Sequence, residues 1–100
     1  MPRNLRRLYL SCNSINADGC RELVKLLQGD DATLKNLYLS GNKIDDEGVD
    51  ILVDALQNNT SLTTLNLKRN DEISNQGQIL LLKLVNDISA SKQRFNPIAP

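Results

Sequence analysis

One hundred residues carry twelve basic and twelve acidic side chains, no histidine, and three aromatic residues: Tyr9, Tyr38 and Phe95. A chain this short makes one small domain or a piece of a larger one, and buries only about 60–70% of its unfolded surface. Zero net charge removes a general attraction to nucleic acid or acidic membranes, the missing histidine removes the usual general base and commonest metal ligand, and no apolar run nears the roughly 18 residues that span a membrane.

The opening "MPRNLRRLYL" is basic but has no apolar stretch of the signal-peptide kind, so a cytoplasmic protein is expected. Cys12 and Cys20 are too few for a disulfide framework and lack C-x-x-C spacing. They read as free thiols in a reducing compartment.

The first element is a strand. Residues 8–15, "LYLSCNSI", return almost unchanged at 37–44 as "LYLSGNKI". A third, looser copy starts at Leu62, with one extra residue between Asn70 and Ile73. The spacing is 29 residues from Leu5 to Leu34 and 28 from Leu34 to Leu62. In each copy Leu8-Tyr9-Leu10, Leu37-Tyr38-Leu39 and Leu65-Asn66-Leu67 alternate with period two, as in a strand whose leucines share one face.

Asn13, Asn42 and Asn70 fall where each strand turns away. A buried amide at that place donates to and accepts from loop backbone, so the three predict a structural asparagine ladder. Next comes a helix. Asn16, Asp45 and Ser74 each precede a glycine by three residues and are good N-cap types. After Gly19, Gly48 and Gly77, apolar residues recur at offsets of four, seven and eight: Leu23, Leu26 and Leu27; Leu52, Ala55 and Leu56; Leu81, Leu84 and Val85. They share one helix face. The asparagines of "NNTS", Asn58 and Asn59, are overlapping glycosylation sequons with no export signal to give them meaning.

One unit is thus strand, loop and helix, and it buries its leucines only by stacking on a neighbour. The pattern L-x-x-L-x-L-x-x-N-x-I followed by G-x-x-x-L-x-x-x-L resembles a leucine-rich repeat, and the 28–29-residue period with a full helix resembles the ribonuclease-inhibitor-like subfamily. The resemblance implies an α/β fold: a curved solenoid of three units, about 5–33, 34–61 and 62–91, in a single domain over 1–100. A short parallel sheet would line the concave face and helices the convex face, because strands stack about 4.8 Å apart and helices about 8–10 Å.

Side chains opposite the leucines then form concave columns: Arg7, Asn36 and Thr64; Tyr9, Tyr38 and Asn66; Ser11, Ser40 and Lys68; Cys12, Gly41 and Arg69. The tyrosines are either a recognition platform or simply a cross-strand contact. On the convex side, Arg21 aligns with Asp50, and Lys25, Asp54 and Lys83 align in a row, a pattern expected to register neighbouring helices.

The ends need covering. Strand one is expected to be an open edge, either continued by a longer array or covered by something else, for which another copy of the chain would serve. Ile79 and Leu80 stand where earlier copies have Arg21/Asp50 and Glu22/Ile51, so they would be exposed unless the tail 92–100, with Phe95, Pro97 and Ile98, folds back as a cap.

No phosphate loop, nucleophile elbow or calcium loop is present, and neither an enzyme nor a cofactor or metal is expected. The leading expectation is a non-catalytic protein–protein interaction module, or a fragment of one, that binds a protein through the concave residues Arg7, Tyr9, Ser11, Asn36, Tyr38, Ser40, Thr64, Asn66, Lys68 and Arg69. The alternatives are self-assembly through uncovered ends, giving a homo-oligomer, and regulation of a partner enzyme. The last follows from resemblance alone, since relatives include a ribonuclease inhibitor and an activator of a small GTPase.

Overall fold

The computed structural model describes residues 5–28, 33–59 and 61–91, with side chains described as far as residue 84 in the last helix. Strand β1 covers Arg7–Tyr9 and is followed by helix α1, Ala17–Leu23, which tightens into a 3-10 turn at Val24–Leu26. Strand β2 is Asn36–Tyr38 and helix α2 is Asp46–Leu56; strand β3 is Thr64–Asn66 and helix α3 is Asn75–Ser91. The tail 92–100, expected to act as a cap, lies outside the described residues.

The sheet order is β1-β2-β3, all parallel. Its register places Arg7 against Asn36 and Thr64, Leu8 against Leu37 and Leu65, and Tyr9 against Tyr38 and Asn66, the columns expected from the repeat. Parallel neighbours need a crossover, and here a helix supplies each one. α2 packs between α1 and α3 on the other layer. The ladder runs beyond the short strands, with Leu10 N donating to Tyr38 O at 2.9 Å and Gly41 N to Lys68 O at 2.9 Å.

The core is thickest in the middle unit. Leu37, Leu39, Ile44, Val49, Leu52 and Leu56 are fully buried. The matching residues of the first unit, Leu8, Leu10 and Ile15, are only partly buried, because among the described residues β1 pairs on one side alone. This is the open edge expected there.

Helix starts follow the caps. The side chains of Asn16 and Asp45 accept from Gly19 N and Gly48 N at 3.2 and 3.0 Å. Ser74 Oγ accepts from Gln76 N at 3.2 Å, one residue short of Gly77. The glycines are required by the preceding isoleucines, which fold over the first turn. A Cβ at Gly19 would lie 2.7 Å from Ile15 Cγ2, and one at Gly48 would lie 2.8 Å from Ile44 Cγ2.

Three expectations are corrected. The first helix is not continuous to Leu27: its last turn is 3-10, as helix ends commonly are, and Leu27 closes that turn while reaching 2% exposure. The convex charges pair differently too. Arg21 bonds Asp18 and Glu47 rather than Asp50, and Lys25 bonds Glu22 at 2.9 Å rather than Asp54. Helical side chains lean toward the N-terminus, so Arg21 meets the residue one turn back and that residue's counterpart in the next unit. These exposed pairs contribute about 0–1 kcal/mol each. Finally, Leu80 is half-buried in the groove between α2 and α3 beside Asp46 and Asp50, whereas Ile79 and Leu82 are 64% and 55% exposed.

Candidate functional site

The concave face is built by the loops as much as by the strands. Each strand leaves the sheet through a left-handed residue at the same place in its unit: Cys12 with φ 61°, Gly41 with φ 68° and Arg69 with φ 58°. Glycine alone adopts this conformation freely, so the first and third units carry a strained residue there. A Cβ at Gly41 would also stand 3.0 Å from Cys12 Sγ.

Beneath the turn, Asn42 ties two units together. Its Oδ1 accepts from Asn13 N at 2.7 Å and Ile15 N at 2.9 Å, and its Nδ2 donates to Leu10 O and Leu39 O, both at 3.0 Å. Asn70 repeats the motif one unit on, accepting from Ile44 N at 3.0 Å and donating to Leu39 O and Leu67 O at 2.9 Å. Both are 5% exposed. The expected third rung is corrected: Asn13 is exposed and its Nδ2 donates only to Ser11 O at 3.1 Å among the described residues. Each asparagine serves the loop of the unit before it, and no described unit precedes the first.

Asn59 was missed as a structural residue. It is 5% exposed, donates from Nδ2 to Leu27 O at 2.9 Å, and accepts on Oδ1 from Ser61 N at 3.0 Å and Leu62 N at 2.8 Å. The available signal was an Asn two residues before Ser at a helix-to-strand turn, an Asx-turn pattern. Its Nδ2 is committed to the backbone of the first unit, so a glycan there would break the link between units.

On this frame the concave columns meet as the register requires. The rings of Tyr9 and Tyr38 stack with centroids 4.6 Å apart and planes 5° from parallel. Tyr9 is 66% exposed, and Tyr38 is half-buried between its register partners Tyr9 and Asn66. Ser40 Oγ donates to Ser11 Oγ at 2.9 Å. Asn66 Oδ1 accepts from Lys68 N at 3.0 Å, so that side chain is partly occupied in holding its own turn. Arg7, Lys68 and Arg69 are exposed, and Asn36 and Thr64 half-buried.

The profile of the Leucine Rich repeat family matches residues 2–24, 31–52 and 58–82, one match to each unit. The chain belongs to the leucine-rich repeat family. Repeats of this family generally mediate protein–protein interaction and are non-catalytic. No curated protein matches the chain.

This leucine-rich repeat has no metal-holding group of His, Cys, Asp or Glu among its described residues, and none of its described helices is long and apolar enough to cross a membrane. Its two thiols have opposite settings. Cys12 is exposed; Cys20 is fully buried, and burial, aided by Asp45, raises its pKa to about 11. The thiolate is the reactive form. A thiol-specific chromogenic reagent will therefore titrate one cysteine in the native protein and two in denaturant. Release of two equivalents under native conditions would show that the α1–α2 layer opens readily.

Asp46 holds the seam between the second and third units. It accepts from Ser74 N at 2.8 Å and from the Ser74 hydroxyl, and these bonds hold its carboxyl below the usual range.

Proposed function

We propose that this leucine-rich repeat is a non-catalytic interaction module that grips a protein partner with its concave sheet, centred on Tyr9 and Tyr38. The observation that carries this is the stacked pair itself: a large aromatic surface, two-thirds exposed at Tyr9, held rigid by ring contact and strand register. Tyrosine offers broad contact area and a polar tip at little entropic cost, which is why it recurs at binding hot spots. The flanking side chains Arg7, Asn36, Thr64, Ser11 and Ser40 supply donors and acceptors for a polar rim. The 28–29-residue period and the eleven-residue α2 support a ribonuclease-inhibitor-like unit, and two unpaired thiols suit a reducing compartment such as the cytoplasm.

Affinity capture tests the site. Native protein and a Tyr9→Ala/Tyr38→Ala variant of matched melting temperature are run side by side against an extract of the source organism. The expected result is a partner retained by the native protein and lost by the variant. A partner held equally by both would place recognition on the helices or ends.

A second reading, self-assembly, is favoured by a separate observation. Among the described residues β1 pairs on one side only, and Ile79 and Leu82 are exposed at the far end of the stack. A molecular mass that rises with concentration in light scattering is its signature.

A further inference from the structure

Charge is divided between the two faces. The stretches that carry the strands, residues 5–12, 34–41 and 62–69, hold five basic side chains and no carboxylate, in a chain with no net charge. The carboxylates instead occupy loops and helices, where Asp18, Glu22 and Glu47 neutralise Arg21 and Lys25. Three of the basic residues, Arg6, Arg7 and Lys35, gather with Asn36 and Thr63 around one groove of about 630 Å³ at the entry end of the strands. All three are exposed, and none of them has an ion pair among the described residues. The open ring of Tyr9 lies two residues further along the same strand as Arg7.

We infer that this groove takes an acidic segment of a protein partner, with carboxylates on Arg6, Arg7 and Lys35 and an apolar or aromatic side chain against Tyr9. The inference rests on the reading that the concave face binds a protein, and adds the chemistry of what it binds. Guanidinium forks match carboxylates bidentately, and an unpaired basic cluster beside an aromatic ledge selects segments that mix acidic and apolar residues. Single-stranded nucleic acid is the competing polyanion, and the geometry disfavours it. Tyr9 and Tyr38 already cover each other's faces, leaving one open ring at the sheet edge rather than a series of platforms for successive bases.

The test uses three labelled probes in fluorescence anisotropy: a dodecapeptide of alternating glutamate and tyrosine, its glutamine counterpart, and a twelve-nucleotide oligothymidine. The full chain is compared with a Arg6→Gln/Arg7→Gln/Lys35→Gln variant. No side chain changed makes a hydrogen bond or ion pair within the described fold, so a matched melting temperature is expected. The glutamate peptide should bind about tenfold more tightly than the glutamine peptide and lose that advantage in the variant, since several screened surface pairs of modest strength add up to this. Salt should weaken it. Equal affinity for both peptides, lost in Tyr9→Ala/Tyr38→Ala, would overturn the acidic class and leave concave protein binding standing. Affinity for the glutamate peptide unchanged in the glutamine variant would overturn the location. Tighter binding of oligothymidine, or no binding of any probe, would overturn the inference outright.

Discussion

Asn42→Ala will destabilise the protein by about 3 kcal/mol, while Asn13→Ala will cost under about 1 kcal/mol, because only the first change removes several part-buried hydrogen bonds that join two units. Removing the Asn42 amide leaves Asn13 N, Ile15 N and Leu10 O without their side-chain partner and takes one of two from Leu39 O, which Asn70 also holds. A buried donor or acceptor left unpaired costs about 1–3 kcal/mol, and water will reach the loop groups of the open first unit more easily than Leu39 O. Asn13, exposed and bonded only to Ser11 O, has water as a ready substitute. With a urea slope of roughly 1 kcal/mol per molar for a domain of this size, the midpoint should fall by about 3 M for Asn42→Ala and hardly move for Asn13→Ala. Because Asn42 joins two units, the transition of the variant should also broaden as the first unit uncouples from the stack. Equal midpoints for the two variants would show that water replaces the inter-unit hydrogen bonds of Asn42 as readily as the Asn13–Ser11 bond.

Leu37→Ala will cost about 3 kcal/mol, within the range for fully buried leucines, and Leu8→Ala less than half as much. The two residues are register partners in adjacent strands and come from the same place in the repeat. Leu37 is fully buried in the central strand, so truncation leaves a cavity with neighbours on every side. Leu8 packs against the core from the edge strand and is only partly buried, so its neighbours and solvent can close over the gap. Urea midpoints of the pair, measured at low and high protein concentration, check this. A cost at Leu8 that matches Leu37 and grows with concentration would mean that a second copy covers the β1 edge, which would raise self-assembly above the monomeric interaction module.

Much of the site could be read before the fold was known. The columns Arg7–Asn36–Thr64 and Tyr9–Tyr38–Asn66 follow from laying one copy of the repeat over the next, since aligning the strand leucines leaves only one register for parallel neighbours. The caps Asn16 and Asp45 were legible for a similar reason: a cap acts within three residues of itself. What escaped were the contacts that side chains choose among several reachable partners. Arg21 could reach Asp50, Asp18 or Glu47, and the lean of helical side chains decided between them. Asn59 stood out only as part of a glycosylation sequon without an export signal, because its structural value lies in Leu27 O, 32 residues away in the chain.

By itself, the sequence determined the unit, its period, the face its leucines share and the order in which units pair. These are local matters: alternation makes a strand, an Asn or Asp before a glycine starts a helix, and repetition fixes how copies align. Only the tertiary structure decided how deeply each copy is buried. Asn13 and Asn42, or Leu8 and Leu37, are interchangeable as letters, yet one of each pair is exposed or half-covered and the other buried. A repeat buries its leucines and satisfies its loops through its neighbours, so burial depends on how many neighbours a unit has, and no residue within the unit carries that number.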